Sequence, residues 1–578
     1  MGFNENFATV WEAIADELVD APALSHGPLT RSWAELDTRA ARFAGALAAF
    51  GVGAEAKVGL ALYNGPAYTE VTYGAFKARA VPFNVNYRYR EAELAYLLDN
   101  ADCEVVVAHP ELVERIEAVR DQVPSIRLLV VVGGETDASP SPEPPDGWVH
   151  YERLLADAEP ARRIERSGDD LWFLYTGGTT GMPKGVMWPH RSLLGVFAPT
   201  WKGLKQPLPT TPVEAAATAR RLRDQSAEQR LIPAAPMMHG TSSQLTLGGL
   251  SAGAHVITLP SRSFDAARLW ATVEDRSASH LCIVGDAFCR PMIAELEAAE
   301  AAGTPYNLAS LKVVTSSGAM WSSAQKEALL ERAPALLIDL LGSSEGNGFG
   351  ASVARRGRSA GTARFQLGDH AAVFTEDGRR VEPGSGERGM LATGGHLPLG
   401  YYKDPVKTAA TYPVYEGRRW AVPGDYATVE SDNTITLLGR GSVCINTAGE
   451  KVFPEEVEEA TKSLDWVIDA TVVGVPDKKW GSAVTAVVSL GSNRPAGVAS
   501  PPAGSGTLAA SDLLGQVREH VKDQLAAYKA PRHVVVVDAV KRGPNGKADY
   551  RWATEIAEVA LGHGTSAPSA EPVRSGRP

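Results

Sequence analysis

The chain has 578 residues, which at about 100–200 residues per domain allows several structural units with sizeable cores. Hydrophobic residues make up 44% and charged residues 22%, ordinary usage for a folded protein and far from that of a disordered one. The formal charge of −11 argues against a broad nucleic-acid or anionic-membrane surface, so an anionic ligand would need a local pocket.

From the N-terminus, MGFNENF lacks the basic and apolar regions of a signal peptide and has Asn6 where a myristoylation motif wants Ser or Thr. No apolar run approaches the roughly 20 residues that span a bilayer, and the expected location is the cytoplasm. Short apolar runs at Val58–Leu62, Cys103–Ala108, Arg127–Val132, Leu171–Tyr175, His255–Leu259, Leu281–Val284 and Leu311–Thr315 alternate with segments of helical periodicity. This is an α/β pattern, and apolar strands without clean alternation fit sheets covered by helices on both faces. Pro-, Gly- or Ser-rich breaks at 137–147, 491–506 and after Gly562 read as loops or a tail. Between His190 and Leu231, a stretch with Trp201 and a charged run from Arg220 to Arg230 reads either as a cap over a ligand channel or as a solvated helix face.

The region from about Ser442 to Leu561 reads as a smaller α/β unit. Pro454 opens a helix with Glu455, Glu456 and Glu458 in its first turns, and strands follow at Ala470–Val475 and Ala483–Leu490. An amphipathic helix then aligns Leu513, Leu514, Val517, Val521 and Leu525 before a strand at His533–Val537. The expected division is 1–440 for a large N-terminal multi-sheet domain, 441–562 for a small mobile C-terminal domain, and 563–578 for a disordered tail. Four cysteines, Cys103, Cys282, Cys289 and Cys444, show neither zinc spacing nor a disulfide framework and read as reduced thiols.

The most specific segment is Tyr175-Thr-Gly-Gly-Thr-Thr-Gly-Met-Pro-Lys-Gly-Val186, directly after an apolar strand. Gly177 and Gly178 let the backbone approach a ligand closely, Thr176, Thr179 and Thr180 supply hydroxyls, and Lys184 supplies a compact positive charge, a combination suited to a triphosphate. It is not a Walker A loop, because Gly546-Lys547 is followed by Ala548 rather than Ser or Thr.

This loop closely resembles the signature of the adenylate-forming superfamily of acyl-CoA synthetases, adenylation domains and luciferases. Further motifs of that superfamily recur in order: Pro236-Met-Met-His-Gly240, Ser317-Gly-Ala319, Gly342-Ser-Ser-Glu345, Gly400-Tyr-Tyr402, Pro423-Gly-Asp425, Gly439-Arg440, Ala448-Gly-Glu450 and Gly546-Lys547. The stretches Val284–Pro291, Gly439–Asn446 and Tyr528–Arg532 are similar to bacterial fatty-acyl and steroid-side-chain CoA ligases. The resemblance implies a ligase that uses ATP and Mg²⁺ to convert a carboxylic acid into an acyl-adenylate, then passes the acyl group to coenzyme A.

Attack of a carboxylate on the α-phosphate brings anion to anion, so such a site must supply cations. The resemblance assigns Lys547 to bridging carboxylate and α-phosphate, Glu345 and Thr176 to the metal, and Gly342, Ser343, Ser344, Gly318 and Ala319 to the nucleotide. Asp425 suits the ribose hydroxyls and Arg440 the ribose or phosphates. His239 is assigned to gating or carboxylate positioning, since a carboxylate already ionised at neutral pH needs no general base. A hinge near Ser442 would exchange Lys547 for the Ala448–Glu450 loop, with Gly449 along a pantetheine tunnel and Trp480 either beside pantetheine or in the core. Leu341, Val443 and Ala448 depart from common residues of the superfamily. Two other functions compete: delivery of the acyl group to a carrier protein, and a catalytically silent scaffold. Nothing in the sequence sets an oligomeric state; a homodimer is the expectation because dimers are the commonest assembly.

Overall fold

A computed structural model describes residues 5–133, 144–176, 182–358, 361–447, 450–477, 480–495, 498, 501–543 and 546–563. The chain divides into two compact units, one formed by Met1–Ala372 with Ala392–Pro423 and the other by Val373–Leu391 with Gly424–Pro578. The sequence-based α/β reading holds in both.

The first unit has two large sheets. In one, strands Lys57–Ala61, Val81–Asn84, Cys103–Ala108, Leu128–Val131 and Trp148–His150 run parallel beside Leu171–Thr176. Lys184–Pro189 pairs antiparallel with Leu171–Thr176, and Gly400–Tyr401 pairs antiparallel with it in turn. The other sheet is parallel through Pro22–His26, His255–Thr258, Arg230–Pro233, His280–Ile283, Val313–Ser317 and Leu336–Ser343. From there Gly346–Ala354 and Arg364–Leu367 continue it antiparallel. The seven apolar runs each form a strand within one or two residues of the expected ends. Interior strands such as Cys103–Ala108 and Leu128–Val131 are buried almost throughout because helices cover both faces, which explains their lack of alternation.

After His190 the chain packs back onto the first unit's core. Trp201 is buried in the core beside Phe197 and Leu194, and helix Pro212–Asp224 buries Ala215, Ala216 and Ala219 in the same cluster as Val10 and Ile14 of helix Phe7–Glu17. Arg220 pairs with Glu17 across partly exposed side chains. Arg220, Arg221 and Asp224 lie on the solvated face of this packing helix, and the rest of the run leads out of it to strand Arg230–Pro233.

In the second unit, strands Val467–Asp477 and Gly481–Leu490 form a long antiparallel hairpin, His533–Val537 adds in parallel, and Gly506–Leu508 closes the edge. Both faces are covered, and alternate residues of a strand serve different cores. Val534 and Val536 meet Val457, Val517 and Val521 of helices Pro454–Lys462 and Ser511–Gln524. Val535 and Val537 meet Ala553, Ile556 and Ala557 of helix Tyr550–Ala560. The amphipathic face read from Leu513, Val517 and Val521 is therefore a core face, with Leu514 and Leu525 at its margin.

All four cysteines are free; Cys103, Cys282 and Cys289 are buried and Cys444 partly so, and burial lifts the first three thiols to about 12. Among the described residues no helix is long and apolar enough to cross a membrane. Ile556 is 3% exposed, so Ile556→Ala should cost about 2–5 kcal/mol, read as a lower urea midpoint for unfolding of the second unit. An unchanged midpoint would show that the last helix is not part of that unit's cooperative core.

Candidate active site

The phosphate-loop motif is carried by a hairpin. Thr176 and Lys184 are the last paired residues at its tip, and between them Gly177, Gly178, Thr179 and Thr180 lie outside the described residues. Behind the loop, the buried Asn84 side chain donates 2.8 Å hydrogen bonds to the carbonyls of Tyr175 and Met238 and accepts one of 2.8 Å from the Tyr175 amide. One amide thus ties the root of the phosphate loop to the Pro236–Gly240 motif. Asn64 acts alike on the same turn, donating to the Pro233 and Ala235 carbonyls and accepting from the Met237 amide at 2.7 Å. Between them they hold half-buried His239 at the N-terminal edge of helix Gly240–Ser251, where its carbonyl accepts from Ser243. Thr241 on that helix donates to the Ser317 carbonyl at 3.3 Å, which joins this turn to the Ser317–Ala319 motif. Gly318 there has φ +93°, in the left-handed region that glycine tolerates best.

Glu345 sits in the tight connection between strands Leu336–Ser343 and Gly346–Ala354, where Ser343 pairs with Gly346. The Tyr401 hydroxyl donates to its Oε1 at 2.8 Å, the Tyr412 hydroxyl donates to its carbonyl at 3.1 Å, and the Ser343 hydroxyl accepts from its amide. Trp188, on the hairpin strand beyond Lys184, donates to the Ser344 carbonyl at 3.0 Å. Lys184 forms an ion pair with Asp404 and lies 5.8 Å from the centre of the Tyr401 ring. That pair holds the Asp404 carboxyl below the usual range, chiefly through the hydrogen bond from Lys184. The first unit therefore gathers Thr176, Lys184, His239, Gly318, Ala319, Gly342, Ser343, Ser344 and Glu345 onto neighbouring, cross-braced strand ends.

A hard divalent cation with few protein ligands needs one well-placed carboxylate beside phosphate oxygens. Glu345 fits, with its Oε1 oriented by the Tyr401 hydroxyl and a second carboxylate oxygen beside it. No group of three or more His, Cys, Asp or Glu residues suited to a metal occurs among the described residues, so most ligands would come from phosphate and water.

In the second unit Asp425 and Arg440 are direct partners across the Asp425–Val429 and Thr434–Arg440 hairpin, with Arg440 Nε 3.3 Å from Asp425 Oδ1. Glu455, at the start of helix Pro454–Lys462, lies behind them and accepts from the Arg440 amide at 3.4 Å. Its Oε2 fills the place of a side chain at Gly439, where an added Cβ would lie 2.1 Å away and φ is +121°. Burial, and then repulsion by nearby Glu458, lifts the Glu455 carboxyl to about 8. Trp480 is partly exposed rather than a core residue, with the Arg532 guanidinium 4.1 Å above its ring. Lys547 is exposed, and Gly449 and Ala448 lie outside the described residues.

The AMP-binding enzyme family model matches residues 11–402, and the model of its C-terminal domain matches 456–547. The chain belongs to the AMP-binding enzyme family. It is 40% identical over 560 residues to a medium/long-chain-fatty-acid–CoA/3-oxocholest-4-en-26-oate–CoA ligase of Mycolicibacterium smegmatis, covering 96% of each chain. A 3-oxocholest-4-en-26-oate–CoA ligase of Rhodococcus rhodochrous is 38% identical, covering 95% of each. The crystal structure of the anthranilate CoA ligase AuaEII with anthranoyl-AMP has the same fold, with a TM-score of 0.78 at 20% identity, covering 97% of this chain and 99% of that one. The adenylate-forming architecture expected from the motifs is thereby the fold of this chain.

Sequence reading gave no role to Asn64, Asn84, Trp188, Tyr401, Tyr412 or Glu455. Tyr401 stood inside a quoted motif, Gly400-Tyr-Tyr402, without a role of its own. The rest emerge from hydrogen bonds between these side chains and backbone groups elsewhere in the chain.

Glu455 also makes a pH prediction. Its folded value of about 8 lies above its ordinary value of 4.5, so its contribution is fully present below about 4.5 and is lost as pH rises through 8. The melting temperature should fall between about pH 5 and 8, and Glu455→Gln should flatten that fall when both proteins are followed by scanning fluorimetry. Parallel curves would mean that Glu455 is already ionised when folded.

Proposed function

We propose that the chain is an ATP-dependent acid–CoA ligase acting on bulky apolar acids, of the medium/long-chain fatty or steroid-side-chain class. The observation that carries this reading is the cross-braced set of Lys184, Glu345 and His239 on strand ends of the first unit, combined with near full-length similarity to ligases of those names.

In the first half-reaction a substrate carboxylate oxygen bonds to the α-phosphorus and pyrophosphate leaves. The carboxylate is already the nucleophile, so the site's work is positioning and charge stabilisation. Lys184 and the Thr176 hydroxyl hold phosphate oxygens, Asp425 and Arg440 take the ribose, and Gly318 and Ala319 lie along adenine. Glu345 and Thr176 are the proposed ligands of Mg²⁺, which when bound neutralises phosphate charge. Lys547 answers the negative charge that builds at the α-phosphate, and His239 orients the acid. In the second half-reaction the sulfur of coenzyme A attacks the acyl carbon, AMP leaves and the thiol proton is released, with Gly449 and Trp480 proposed beside pantetheine. We place the enzyme in the cytoplasm and expect a homodimer; gel filtration with light scattering tests the latter.

The deciding experiment offers purified protein ATP, Mg²⁺ and CoA with short, medium and long fatty acids, aryl acids and steroid-side-chain acids, and quantifies AMP and thioester by mass spectrometry. Thioester with AMP from the bulky apolar acids is expected. Turnover confined to acetate-sized acids would sink the substrate assignment, acyl-AMP without thioester would point to a carrier protein, and no product from any acid would leave a silent scaffold.

Tyr401→Phe removes the hydroxyl that aims Glu345 and should cost about 1 kcal/mol of positioning, roughly fivefold. The loss should appear in adenylate formation as a raised Mg²⁺ requirement, which excess Mg²⁺ partly restores. An unaltered Mg²⁺ titration would detach Glu345 from the metal.

A further inference from the structure

The Lys547 turn is braced from within by one side chain. Arg542 and Ala548 form an isolated antiparallel bridge, the Gly543 amide donates to the Lys547 carbonyl at 2.8 Å, and the Gly546 amide donates to the Gly543 carbonyl at 2.9 Å. Gly546 has φ +70°, so the backbone reverses sharply just before Lys547. Arg542 points back into this turn, where its Nη1 donates to the Gly546 carbonyl at 3.2 Å. Its Nε and Nη2 form a two-pronged ion pair with Asp469, at 2.6 Å each, and Nη2 also reaches the Ala470 carbonyl at 3.4 Å. Asp469 belongs to strand Val467–Asp477, the outer arm of the long hairpin and an edge of its sheet, so the turn is tied directly to the sheet.

We propose that Arg542 and Asp469 are positioning residues that fix the direction in which Lys547 leaves its turn, and so set the rate of adenylation but not of thioester formation. This rests on the reading of Lys547 as the adenylation lysine. A lysine has four rotatable bonds and must deliver one charge to one oxygen, so the orientation of its backbone is the part the fold can prescribe. The guanidinium is suited to the task because its planar fork engages both carboxylate oxygens while a further N–H remains for the carbonyl. Both side chains are mostly buried, at 23% and 17% exposure, which keeps the pair from being screened away. Neither touches the proposed acyl or CoA groups, and both act through Lys547.

The test separates the half-reactions in Arg542→Met, Asp469→Asn and Lys547→Ala. Adenylate formation is read by ATP/pyrophosphate exchange with a fatty acid, and thioester formation by supplying synthetic acyl-AMP and CoA. Arg542→Met should lower exchange at least 30-fold and Asp469→Asn about 10-fold, with thioester formation from acyl-AMP within threefold of the parent, the same pattern as Lys547→Ala. Retained thioester formation also shows that a variant is folded; should Arg542→Met not accumulate, the milder Asp469→Asn decides. Equal loss of both half-reactions, or exchange within threefold of the parent, overturns the proposal. Full exchange in Lys547→Ala would instead fell the Lys547 reading, and the proposal with it.

Discussion

The antiparallel pairing of Leu171–Thr176 with Lys184–Pro189 is the constraint on which the first unit's proposed site depends. A glycine-rich loop has too much conformational freedom to hold phosphates unless its ends are fixed. The pairing fixes both ends, with Thr176 opposite Lys184, and Asn84 fixes the near one again through both polar groups of Tyr175. The same hairpin carries Trp188, which holds the Ser344 carbonyl, and borders Gly400–Tyr401, whose tyrosine holds Glu345. Loop, carboxylate and His239 turn are positioned by bonds to a single framework.

The second unit handles charge differently. It buries Glu455 and Glu458 together on one helix, a costly arrangement relieved when a proton is retained. It buries Arg542 against Asp469, where the charges compensate and the fork is filled. The first arrangement supports the Asp425–Arg440 hairpin through the Arg440 amide and Gly439, the second the Lys547 turn. The second unit thus braces two polar segments with ionisable side chains, in addition to its apolar cores.

Much of this was legible in the sequence because it is local. The strand at Cys103–Ala108 was read to the residue, since burial on both faces makes the apolar run and the strand coincide. The helix beginning at Pro454 was legible for another reason: proline at its first turn with acidic residues behind it is a local signal. The Arg220–Arg230 run stayed ambiguous in the sequence because charge on a helix face looks the same whatever the opposite face covers; here that face packs on helix Phe7–Glu17. Asn84, Tyr401 and Asp469 were silent because their partners lie 91, 56 and 73 residues away, and no spacing rule reaches that far.

The exposed pair between Lys184 and Asp404 shows why the site can be both ordered and available. Its side chains are 39% and 29% exposed, so the attraction is shared with water and is worth on the order of 0–1 kcal/mol. The triphosphate proposed to bind here would bring several negative charges to the same ammonium, and multiple contacts exceed what one carboxylate offers. Asp404 can therefore hold Lys184 near Tyr401 without competing seriously for it. A buried pair of the kind made by Lys326 and Asp339 could not serve, because breaking it would strand a charge away from water at a cost of several kcal/mol. The fold places its tightly paired ions where nothing has to move, and its loosely paired lysine where phosphate is proposed to arrive.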